Sequence, residues 1–104
     1  MLTQLKETLT ANGSTADFLQ VCGYYTICIS GTWDGATLTL YRKDKDDLTA
    51  IDKLKEYTEG TISYSGECEL GFSESIDYLY YVTLSDAGAS TSLTVKLSYG
   101  NVIC

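Results

Sequence analysis

A single antiparallel β-sandwich of about seven to nine short strands, immunoglobulin-like or jelly-roll-like, is the fold class this sequence predicts. Three observations predict it. Apolar and polar residues alternate with a period of two through most of the chain, as in strands with one face on a core. Residues that tolerate positive φ interrupt that alternation at short intervals. And 104 residues, 44% of them hydrophobic, suit one modest core and one domain, spanning residues 1–104.

The elements follow in chain order. Leu2, Leu5 and Leu9 have helical spacing, yet Thr8-Leu9-Thr10 before the Asn12-Gly13 turn signal reads as a strand, and a short terminal strand is preferred. A weaker strand covers Asp17–Val21, and Gly23 marks a bend. From Tyr24 to Ser30, Tyr25, Ile27 and Ile29 share one face, while Tyr24, Thr26 and Cys28 share the other. Asp34-Gly35 then signals a tight hairpin into Ala36–Arg42, where Ala36, Leu38 and Leu40 alternate with Thr37, Thr39 and Tyr41. Leu48–Asp52 and Thr61–Tyr64 read as weak strands, Lys53–Glu59 as a single helical turn, and Gly60 and Gly66 as bends. Two long strands close the chain: Asp77–Ser85, with Tyr78, Tyr80, Val82 and Leu84 on one face, and Thr91–Tyr99, with Leu93, Val95, Leu97 and Tyr99 on one face. Asp86-Ala87-Gly88-Ala89 joins them.

Charge narrows the partners. Fourteen acidic against seven basic side chains give a formal charge of −7, a surface that repels phosphate backbones. The two basic stretches, Arg42-Lys43-Asp44-Lys45 and Lys53-Leu54-Lys55, are interrupted or flanked by acids, so direct nucleic-acid binding is not expected. No apolar run approaches the ~20 residues of a membrane helix. The start, Met1-Leu2-Thr3-Gln4-Leu5-Lys6-Glu7, lacks a secretion signal, so any extracellular role implies another route out.

Catalysis finds little to work with. The chain has no histidine, the commonest general base and metal ligand. Acids gather at Asp44, Asp46 and Asp47, at Glu67 and Glu69, and at Glu74 and Asp77, but solvated loops carry such groups routinely. Asp44-Lys45-Asp46-Asp47 lacks the central Gly and terminal Glu of a twelve-residue calcium loop. Cys22, Cys28, Cys68 and Cys104 form no CxxC pair, and without a secretion signal they read as small apolar residues rather than bridges. No Cys22–Cys28 bridge is expected, because Gly23 places a turn between them and Cys28 lies up the next strand. No cofactor, metal or catalytic residue is assigned, and no enzyme is expected. Trp33, the sole tryptophan, either stacks on a sugar ring or, more often for such a residue, packs over the end of the sandwich.

Ser30-Gly31-Thr32-Trp33-Asp34-Gly35-Ala36-Thr37-Leu38-Thr39-Leu40-Tyr41-Arg42 resembles a segment of small bacteriophage virion proteins, in which Gly-Thr-Trp and a Gly turn lead into an alternating strand. Tyr81–Gly88 and Ser90–Ser98 resemble the closing hairpin of the same family. The first fifteen or so residues and Lys43–Tyr64 match only loosely; over Lys45–Tyr57 similar proteins more often carry a Gly-rich turn and a Trp strand. The resemblance carries no catalytic residues. It implies a virion location and a capsid decoration or cement subunit acting through contacts with other virion proteins. A head-to-tail connector or tail component is the near alternative, and a carbohydrate-binding host-attachment module a more distant one. Nine tyrosines against two phenylalanines suit interfaces, and Tyr24, Tyr41, Tyr81 and Trp33 are the candidate partner contacts of an expected homo-oligomer.

Overall fold

The computed structural model describes residues 4–19, 25–59, 67–70 and 78–99. Among them are nine strands and no helix: β1 (Gln4–Leu9), β2 (Gly13–Ser14), β3 (Phe18–Leu19), β4 (Tyr25–Thr32), β5 (Thr37–Asp44), β6 (Ile51–Thr58), β7 (Glu67–Leu70), β8 (Tyr78–Ser85) and β9 (Ser92–Tyr99). They form two antiparallel sheets. The first has the order β1-β9-β4-β7, the second β2-β8-β5-β6, with β3 also laid along β8.

Counting β2 and β3 as one interrupted strand on β8 leaves eight strands, four in each sheet. Every connection except β5–β6 passes from one sheet to the other. That is the double Greek-key order of a jelly roll. The β-sandwich expectation therefore stands, and the strand order selects the jelly-roll arrangement over the immunoglobulin-like one.

Alternation explains which residues meet. Ile27 and Ile29 of β4 and Leu93, Val95 and Leu97 of β9 face Leu38 and Leu40 of β5, Tyr57 of β6, and Tyr80, Val82 and Leu84 of β8, all buried. Phe18, Trp33 and Ala36 complete this core. Truncating one of these leucines to alanine costs about 2–5 kcal/mol, since the lost transfer energy and the cavity add. On β4 the opposite face is buried as well: Thr26 and Cys28 are almost inaccessible, as is Ser98 beside Thr26 in the ladder.

Three expectations are corrected. Asp34-Gly35 does form a tight turn: both residues have positive φ, 47° and 80°, and the Ala36 amide donates to the Trp33 carbonyl at 3.0 Å. The strands it joins do not pair with each other, however. β4 pairs with β7 and β9, and β5 with β6 and β8, so this turn crosses between sheets instead of closing a hairpin. The same holds for Asp86–Ala89, which takes the chain from β8 to β9. A turn signal specifies local reversal; whether the flanking strands pair or pack is decided by their other neighbours.

The third correction concerns residues 48–59. Leu48 lies in the β5–β6 turn rather than a strand, and Lys53–Glu59 is no helical turn: Ile51–Thr58 runs as β6 along β5. Ladder pairing with β5 overrides the local helical preference of Lys-Leu-Lys-Glu. The terminal strand is present as β1, antiparallel to β9. Of the expected Asp17–Val21 strand, Phe18–Leu19 is described; Gln20 and Val21 lie outside the described residues. The Thr61–Tyr64 expectation also lies outside them.

Candidate functional site

Two of the four candidate contact residues come together. Tyr41 of β5 and Tyr81 of β8 are partners in the ladder, one residue from the core-facing Leu40 and Val82, and so project from the outer face of the second sheet. Their rings stack with centroids 5.3 Å apart and planes 15° from parallel. Lys43, two residues along β5 on the same face, places its ammonium 5.0 Å from the Tyr81 centroid and 3.1 Å from the Asp17 carboxylate. Next to it, on the other side of the strand, the Arg42 guanidinium lies over the Tyr78 ring at 4.2 Å and its Nε reaches Asp52 at 3.3 Å.

This grouping fits contact better than chemistry. Each tyrosine spends one ring face on the other, and Lys43 stands over Tyr81, which disfavours flat stacking of a sugar ring. Half-exposed tyrosine edges are what this face offers a protein surface, where Tyr is enriched. The basic run Arg42-Lys43 is tied to Asp52 and Asp17 instead of standing as a phosphate-binding cluster. Trp33 is not a surface residue. At 3% exposure it belongs to the core, packed at the end of the sandwich, and the role of partner contact passes from it. Tyr24 lies outside the described residues.

Trp33 instead helps lock a corner of the fold. Its carbonyl oxygen accepts from the Thr91 hydroxyl at 2.8 Å, and that hydroxyl also accepts from the Gly88 amide at 2.9 Å. The Asp34 carboxylate accepts from the Ser90 amide at 2.8 Å. A Cβ on Gly88 would strike Asp34. The two segments that carried the virion-protein resemblance are thus neighbours, interlocked turn against turn.

The cysteine expectation is corrected. Cys28 is disulfide-bonded, and the residue facing it across the β4–β7 ladder is Cys68. Directly opposed positions lie within disulfide reach, and no sequence spacing announces them. Cys22 and Cys104 lie outside the described residues, so the expected absence of a Cys22–Cys28 link is not addressed by them.

Sequence reading missed one surface feature altogether. Among the described residues, the exposed large hydrophobics Leu48, Ile51 and Leu54 all sit on the β5–β6 turn or on β6, the last strand of its sheet. A signal was there: a lysine-bearing stretch without alternation is what an edge strand wet on both faces looks like. Among the described residues no three His, Cys, Asp or Glu side chains gather as a metal site, and no helix is long and apolar enough to cross a membrane. Comparison with models of protein families, with curated proteins and with solved structures finds no match to this chain. The class reached is a jelly-roll β-sandwich with an aromatic–cationic outer face and an exposed apolar edge.

Proposed function

We propose that this chain is a structural subunit of a bacteriophage particle, a capsid decoration or cement protein working through subunit contacts. The observation that carries the reading is the strand order. The jelly roll is a recurrent architecture of viral capsid proteins, and fold analogy is the warrant here. The sequence resemblance at the two interlocked turns supports it independently. So does a surface whose notable features, the Tyr41–Tyr81 face and the β6 edge, are suited to contact and carry no histidine.

Lectins also use jelly rolls, but burial of Trp33 removes the aromatic that would have served a sugar best. Quantitative mass spectrometry of purified particles tests the proposal. A cement subunit appears in copy number comparable to the major capsid protein, whereas a connector or tail part appears as a single ring or a few. Absence from the particle despite expression during infection overturns the virion reading.

A further inference from the structure

We propose that β6 is a self-pairing edge: a second copy of the chain lays its own β6 antiparallel against the first, across a twofold axis, and extends the second sheet. This deepens the assembly reading by naming the surface, and its test uses the purified chain, so failure of particle membership and failure of self-pairing are separate results.

The edge is open. β6 pairs only with β5 among the described residues, and Ile51–Glu56 are exposed in sequence. An edge strand offers a row of amide and carbonyl groups as a template for another strand. Leu48, Ile51 and Leu54, 56%, 49% and 37% exposed, add apolar area along that rim.

The occupant is specified by charge and by a bulge. Leu40 pairs with Lys55 and Tyr41 with Lys53, so Leu54 is an extra residue in the strand. The bulge changes the side-chain parity: Ile51, Lys53 and Glu56 share the outer face with Lys43, Tyr41 and Thr39, while Asp52, Lys55 and Tyr57 stand on the other. Residues directly opposed in an antiparallel pair must share a face. A twofold axis through Leu54 fails this condition, and it would also oppose Lys53 to Lys55 and Asp52 to Glu56. The two registers on either side of it satisfy the condition. One opposes Lys53 to Glu56 twice, the other Asp52 to Lys55 twice.

Lysines and a bulge normally discourage edge pairing. Here they reject an indiscriminate partner while leaving β6 complementary to itself, which is how specificity is usually built. Lys53 and Glu56 are already ion-paired within the strand at 2.6 Å, and Glu56, by its hydrogen bond and then its charge, raises the Lys53 pKa above the usual lysine range. Across the axis these four groups form one alternating network.

Sedimentation velocity on the full chain over a concentration series, at low and high salt, is the test. The expected result is a reversible dimer that weakens with salt. Lys53→Glu weakens it about tenfold or more, and K53E/E56K restores it; if the alternative register is used, K55D does the damage and D52K/K55D restores it. Circular dichroism stays as in the parent chain, because all four positions are exposed; melting is also unmoved in K53E/E56K, whereas D52K/K55D gives up the Arg42–Asp52 pair and is compared with its own single variants. A monomer at every concentration up to about 1 mM overturns the proposal. So does a dimer indifferent to both reversals, or one that neither double swap restores.

Discussion

The two ends of the second sheet are built on opposite terms. Where β5 begins, the Trp33–Ala36 turn and the Asp86–Thr91 connection are bound to each other by side chains that satisfy backbone groups, over a buried tryptophan. Where β5 ends, residues 45–56 are exposed throughout, and the local bonds, Asp47 to Thr49 and Lys53 to Glu56, are short-range. The first end fixes how the sheets cross; the second leaves its side chains exposed. Stability and contact have been allotted to different ends because a group already spent on internal packing is not available to a partner.

That contrast can be broken most directly at Gly31. Its φ is +123°, and a Cβ there would run into the Ser92 carbonyl oxygen, which belongs to backbone and cannot swing away. Gly31→Ala is expected to lose about 3 kcal/mol in urea unfolding, combining strain with overpacking. Leu54→Ala on the β6 edge should stay within about 0.5 kcal/mol for the monomer. Equal losses would mean that the two ends are not differently built.

A smaller effect sharpens the corner itself. Thr91→Val keeps the side-chain shape but deletes the hydroxyl that bridges the Trp33 carbonyl and the Gly88 amide. With Thr91 4% exposed, about 1–3 kcal/mol should go with it, accompanied by a change in Trp33 fluorescence. An unchanged emission spectrum and midpoint would show that packing alone holds the corner.

The least effect belongs to the exposed turn. Asp47 accepts a hydrogen bond from the Thr49 hydroxyl at 2.7 Å and another from the Thr49 amide at 3.2 Å, and these, in that order, lower its pKa below the usual carboxylate range. A depressed carboxyl contributes above its unfolded value and loses that contribution as pH falls through its folded one. Carboxyl titration by NMR should show Asp47 returning toward the ordinary range in Thr49→Val, with the melting temperature unmoved. A low Asp47 value that survives the substitution would assign the shift to another cause.

Much of this was legible in the residues. The long strands β4, β5, β8 and β9 follow the period-two pattern closely, because each buries a full apolar face and any slip of one residue would expose it. Tyr41 and Tyr81 could be assigned to the outer face by the same rule. What escaped were β2, β7 and β6. β2 and β7 are short, two and four residues, and β6 is wet on both sides from Ile51 to Glu56, so no hydrophobic period marks them. Cys28 was misread because no local spacing marks it as bridged, and the cysteine opposite it in the ladder, Cys68, lies far along the chain on β7.

By itself, then, the sequence determined the β class, the four principal strands, the inward faces and the positive-φ turn at Asp34-Gly35, since each is set by neighbours a few residues away. Only the tertiary structure decided that this turn crosses between sheets, that Trp33 is interior, that Cys28 faces Cys68, and that β6 is left at an edge. Those outcomes depend on which distant strands compete for the same hydrogen-bonding edge. Alternation tells a strand which face to bury, while the backbone groups that choose its neighbour are the same in every residue but proline.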